Sequence, residues 1–108
     1  MQQDFHRSIE TELKNAMSAR LSGNEGRARV CARRAAGIAA RDFLNRNGVR
    51  TRKENAYEAL KTLAAYPGLA RDLQSAALYL TTRVTEEFTF PTNADLIAEA
   101  RKLIGGLG

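Results

Sequence analysis

Residues 28–41 read Ala28-Arg29-Val30-Cys31-Ala32-Arg33-Arg34-Ala35-Ala36-Gly37-Ile38-Ala39-Ala40-Arg41. Alanine is the strongest helix former, and no proline interrupts the run. Ala28, Cys31, Ala32, Ala35, Ile38, Ala39 and then Phe43 recur at steps of three and four, the period of one buried helix face. Most of these residues are small, so a neighbouring helix can approach closely. Arg27, Arg34 and Arg41 are seven apart and share the opposite face, with Arg29 and Arg33 on its flank. A helix is therefore predicted over Glu25 to Asn47. Asn24 caps its start, and Asn47-Gly48 stops it.

Upstream, Phe5, Ile9, Leu13, Ala16 and Met17 mark a first helix over Gln3 to Leu21, ended by Ser22-Gly23-Asn24. Downstream, the basic connector Val49–Lys53 leads to a third helix, Glu54 to Ala65, with Ala56, Leu60 and Leu63 or Ala64 inward. Pro67-Gly68 breaks it. A fourth runs from Leu69 to about Glu87 on Leu69, Leu73, Ala76, Ala77, Leu80 and Val84. Pro91 stops that pattern because it lacks a backbone donor. Thr92 or Asn93 caps a last helix burying Ala94, Ile97, Ala98 and Ile104 and fraying at Gly105. The expected fold is all-α, an up-and-down antiparallel bundle of four to five helices forming a single domain over residues 1–108.

Composition agrees. The chain has 108 residues, 18 of them alanine, no Trp and 2 Pro, which excludes collagen-like and β-sandwich classes. One cysteine makes no intramolecular disulfide, which fits a reducing compartment. No apolar run approaches a membrane span, and residues 1–7 lack the core of a signal peptide. A cytoplasmic location is expected, with no membrane association. The net charge is +5. Residues 27–53 hold nine basic side chains and one acid, Asp42, a local +8 on an otherwise mildly acidic chain. Such a block favours an anionic partner.

The candidate binding residues for phosphate or nucleic acid are Arg27, Arg34, Arg41, Arg50, Arg52 and Lys53. Guanidinium groups bind phosphate in a multidentate way. Equally, a solvated helix face pairing with neighbouring acids explains the same residues, since no aromatic stacking residues interleave with the block. Asp42 falls by helical arithmetic inside the apolar arc, where a carboxylate needs a partner. Arg83 on the fourth helix is the candidate for a buried ion pair with it. His6 reads as a surface residue and Cys31 as a small core hydrophobe. One His and one Cys with scattered carboxylates do not make a metal site. No phosphate loop, serine elbow or cysteine pair is present, so neither cofactor nor catalytic residue is assigned.

The alanine-rich second helix follows a helix ending in a Gly-Asn turn. A basic connector, a helix carrying Arg83 and the final Ala94-Asp95-Leu96-Ile97-Ala98-Glu99-Ala100-Arg101 stretch complete the order. This pattern resembles the HEPN family (higher eukaryote and prokaryote nucleotide-binding domains) from about Leu13 to Leu107. The resemblance implies a homodimer and, for some members, a nucleotidyltransferase partner in a toxin–antitoxin pair. Many members are metal-independent ribonucleases with an Arg followed by a His on the fourth helix. Arg83 stands at the Arg position, but Phe88, Thr89 and Phe90 stand where the His would fall. The implied function is non-catalytic binding of RNA, nucleotide or a nucleotidyltransferase. The alternatives are a divergent ribonuclease, with Glu86 or Glu87 as substitute base, and a structural adaptor.

Overall fold

The computed structural model describes residues 2–50, 56–81 and 95–107, with side chains from Arg7 onward. It is an all-helical bundle: α1 Gln2–Leu21, α2 Glu25–Arg46, α3 Ala56–Ala64, α4 Arg71–Leu80 and α5 Leu96–Leu107. Arg52, Lys53, Arg83, Glu86, Glu87, Phe88, Thr89, Phe90, Thr92 and Asn93, and the His6 side chain, lie outside the described residues. So does the expected continuation of α4 to Glu87.

Two glycine stops shape the frame. At the end of α1 the Asn24 N–H reaches the Ala19 carbonyl at 2.8 Å and the Gly23 N–H reaches Arg20 at 3.0 Å. This paired pattern requires the left-handed φ of +82° that Gly23 adopts. Asn24 then caps α2, its Oδ1 accepting from the Arg27 N–H at 3.0 Å. One residue thus closes one helix and opens the next, giving a tight antiparallel hairpin. The same pairing ends α2, with Val49 donating to Leu44 at 2.8 Å and Gly48 to Asn45 at 3.2 Å. Between α3 and α4, Leu69 donates to the Tyr66 carbonyl across Pro67-Gly68, the positions proline and a positive-φ glycine favour in a type II turn. That turn and the cap residue Ala70 set the start of α4 at Arg71, two residues later than the sequence suggests.

The central member is α2, which packs against α1, α5 and α3 and touches α4. Its buried set is Ala28, Cys31, Ala32, Ala35, Ala36, Gly37, Ala39, Ala40 and Leu44. That arc is wider than the expected one. Ile38 and Phe43, expected inward, are only half-buried and pack at its edge. The large side chains come mainly from the partners: Leu60, Leu63, Leu80, Leu96 and Leu103 are fully buried over this small-residue surface. Each contributes about 1.5–3 kcal/mol by leaving water.

Helix α5 corrects the sequence reading in three respects. It buries Leu96, Ile97, Ala100, Leu103 and Leu107, whereas Ala98 is exposed and Ile104 half-buried. Leucines at steps of seven and four, Leu96, Leu103 and Leu107, set the buried face. The helix also continues through Gly105-Gly106 to Leu107, held by Leu107's burial and by Arg46 Nη2 donating to its carbonyl at 3.2 Å. Its cap is Asp95, whose Oδ1 accepts from Ile97 and Ala98 at 3.1 and 3.3 Å.

Candidate nucleic-acid interface

Successive α2 residues are 100° apart on the helix circumference. The buried and half-buried positions take up most of that circumference. One narrow stripe remains, carrying Arg27, Val30, Arg34 and Asn45, all exposed, with the half-buried Arg41 in line. Arg27 and Arg34 point to solvent and form no ion pair among the described residues. Seven residues separate neighbouring arginines, a rise of about 10.5 Å along the axis. Arg50 is exposed just beyond the turn that ends α2.

Arg33 and Arg46 serve the fold. Arg33, next to Arg34 in sequence but rotated by one step, donates from Nε to the Leu80 carbonyl at 2.6 Å. It thereby brings a charged donor to a carbonyl in the last described turn of α4. Arg46 donates to Asp42 at 2.7 Å and to Leu107. Within α2, Arg33 and Arg46 are thus engaged by the fold while Arg27 and Arg34 face solvent, a division that follows rotation about the helix.

Asp42 departs from the sequence expectation of burial. Its side chain is 36% exposed and is paired with Arg46, one turn on. No polar or charged residue is buried among the described residues. Asp42 stands near the end of α2, beside half-buried Ile38, where coverage by neighbouring helices thins. Water and a local cation are both within its reach. Any contact with Arg83 lies outside the described residues.

A second electrostatic junction ties α5 to the hairpin. Arg20 Nε meets Glu25 at 2.7 Å and its Nη1 meets Asp95 at 3.0 Å. The Glu25 hydrogen bond leads in raising the Arg20 pKa, and the same bond lowers that of Glu25. Partial burial is the largest influence on Asp95 and pushes its pKa up. The Ala98 N–H and Arg20 together outweigh it, leaving the carboxyl below its ordinary value.

Beside Arg27, an open cleft of about 230 Å³ is lined by Asn15, Ser18, Ala19, Ser22 and Asn24. Apart from Ala19 its lining residues are polar, and none is an acid. Cys31 is buried among the alanines. No group of three or more His, Cys, Asp or Glu side chains able to hold a metal occurs among the described residues. Nor is any described helix long and apolar enough to cross a membrane. The arrangement is suited to holding an anion on an arginine row. Comparison with protein-family models, curated proteins and solved structures found no match.

Proposed function

We propose that this protein is a non-catalytic, HEPN-like cytoplasmic domain that binds RNA through the outward arginines of α2. The observation that carries this reading is the placement of Arg27 and Arg34 on one solvent-facing stripe of α2, with no ion pair among the described residues. Two guanidinium groups held on a rigid helix present multidentate donors to phosphate oxygens at low ordering cost. Homodimerisation and association with a nucleotidyltransferase, in a toxin–antitoxin-type pair, complete the proposal through the family resemblance.

The test is fluorescence anisotropy with labelled RNA at several salt concentrations, comparing wild type with the Arg27→Ala/Arg34→Ala double variant. Each lost phosphate contact lowers the slope of log affinity against log salt by about one. The double variant is expected to lose about two units of slope at nearly unchanged melting temperature. Undiminished affinity and slope refute the reading.

The adaptor reading rests on a different observation: Arg20, Arg33 and Arg46 are all committed to contacts within the fold. It predicts that the double variant melts early and that RNA binding is absent in wild type. The ribonuclease reading predicts multiple-turnover RNA cleavage, in chelator, that disappears in Arg83→Ala. General acid–base help is typically worth about 10²–10⁴-fold, and the sequence has no His at positions 88–90 to give it.

A further inference from the structure

The α1 surface beside the arginine stripe has its own pattern. Ser8, Thr11, Asn15, Ser18 and Ser22 are spaced by three and four residues and are all exposed. They form a continuous ridge of neutral hydrogen-bonding side chains. The cleft that joins Asn15, Ser18 and Ser22 to Arg27 places this ridge directly against the α2 stripe. Because α1 and α2 run antiparallel from their shared turn, the ridge continues past Arg34.

On the far side of the ridge, Arg7 and Lys14 are also seven residues apart and also exposed. They too form no ion pair among the described residues. Glu12, on the seam side of the ridge, is half-buried and turns its Oε1 out of solvent. Glu10, three residues after Arg7 and four before Lys14, lies on the outward flank of that cationic row, away from the ridge. The surface thus has three parallel rows: cations on α2, neutral donors and acceptors along α1, and cations on the outer edge of α1.

We infer that this three-row surface binds the minor groove of double-stranded RNA, each cationic row on one phosphate backbone and the neutral ridge on the 2′-hydroxyls between them. This rests on the RNA-binding reading above and adds the class of RNA and a second set of contacts. Three observations favour the duplex. Neither α1 nor α2 carries an aromatic residue in the three rows, and single strands are held mainly by base stacking. Cationic rows on two packed helices are at least one interaxial distance apart, about 8–10 Å. That exceeds the minor groove of B-form DNA, about 6 Å wide, but suits the wide, shallow minor groove of A-form RNA. Lastly, hydroxyl and amide side chains both donate and accept, as 2′-hydroxyls do, and phosphates only accept.

The experiment measures anisotropy with a 20-base-pair RNA duplex, a DNA duplex of the same sequence and the single-stranded RNA, with chelator present. Wild type is expected to bind the RNA duplex at least tenfold more tightly than either competitor. Arg7→Ala/Lys14→Ala is expected to lower the salt slope on duplex RNA by about two, as each phosphate contact contributes about one. Thr11→Ala/Asn15→Ala is expected to bring the RNA-to-DNA duplex ratio towards one. These positions are exposed and alanine favours helix, so folding is retained. Asn15→Glu is a second probe, expected to weaken all duplex binding by repulsion. Equal or tighter binding of single strands, or unchanged duplex-RNA affinity in the Arg7/Lys14 variant, overturns the inference and leaves the α2 arginine reading standing. An unchanged RNA-to-DNA ratio in Thr11→Ala/Asn15→Ala overturns the role of the ridge in the same way. Wild type that binds none of the three nucleic acids overturns both.

Discussion

Replacing Gly37 by alanine tests how closely the bundle is packed around α2. A Cβ built on Gly37 lies 2.5 Å from the Ala56 Cβ and 2.7 Å from its Cα. The second distance decides the matter, because it involves main chain. No rotamer change relieves it, and the start of α3 must move. On intrinsic propensity alone, Gly→Ala inside a helix gains about 0.8–1 kcal/mol. Overpacking a well-filled site costs about 1–3 kcal/mol. The net expectation is a loss of about 1 kcal/mol. Gly105 is the control: it lies within α5, is exposed, and its added Cβ meets nothing within 4 Å. Gly105→Ala therefore keeps the propensity term, reduced near a helix end to about 0.5–1 kcal/mol of gain. At about 4 °C per kcal/mol for a domain of this size, the two variants separate by about 6–8 °C in melting temperature, on opposite sides of wild type. Thermal and urea melts of the three proteins, followed by circular dichroism, read this directly. Stabilisation of Gly37→Ala to the same extent as Gly105→Ala refutes the close approach of α2 and α3.

Two further outcomes follow from the arginine geometry. Arg33→Ala removes a charged donor from the Leu80 carbonyl and is expected to cost about 1.5–3 kcal/mol, whereas Arg34→Ala, one residue on, stays within about 0.5 kcal/mol; urea titration of both variants checks the contrast. At the Arg20 junction, Glu25 and Asp95 both have folded-state pKa values below their unfolded ones, so their contribution is complete above the unfolded values and is lost as pH falls through the folded ones. Stability is expected to decline on acidification below about pH 4.5, the ordinary glutamate value, and Arg20→Gln is expected to flatten that decline in melts recorded from pH 6 to pH 2.5.

The ends of α1 and α2 were legible because Gly23, Asn24 and Gly48 carry their own chemistry: left-handed φ and a capping side chain are local properties. The buried arc of α2 was legible in direction but not in width. Periodicity locates the centre of a face, but only the number of neighbouring helices sets how far burial extends. Ala36, Gly37 and Ala40 are buried because α2 is contacted on several sides. In α5 the misreading came from weighting Ala98 like the leucines, although a leucine carries far more apolar surface to bury.

For the candidate interface, the seven-residue spacing of Arg27, Arg34 and Arg41 was readable, and the division of labour between Arg33 and Arg34 was not. The partner of Arg33 is a backbone carbonyl 47 residues away, and a carbonyl has no side-chain signature. Asp42 shows the converse. Its partner Arg46 is at i+4, a spacing visible in the sequence, and a local pair of that kind needs no buried partner across the bundle. The ridge on α1 was readable in the same way, through neutral polar residues at steps of three and four, but apolar periodicity draws attention to the opposite face. Its significance arises only when the Gly23-Asn24 turn folds α1 back on α2 and brings Asn15 and Ser18 beside Arg27. Before that turn forms, the basic residues are a charge count; after it, they are rows of defined spacing, and spacing is what distinguishes one polyanion from another.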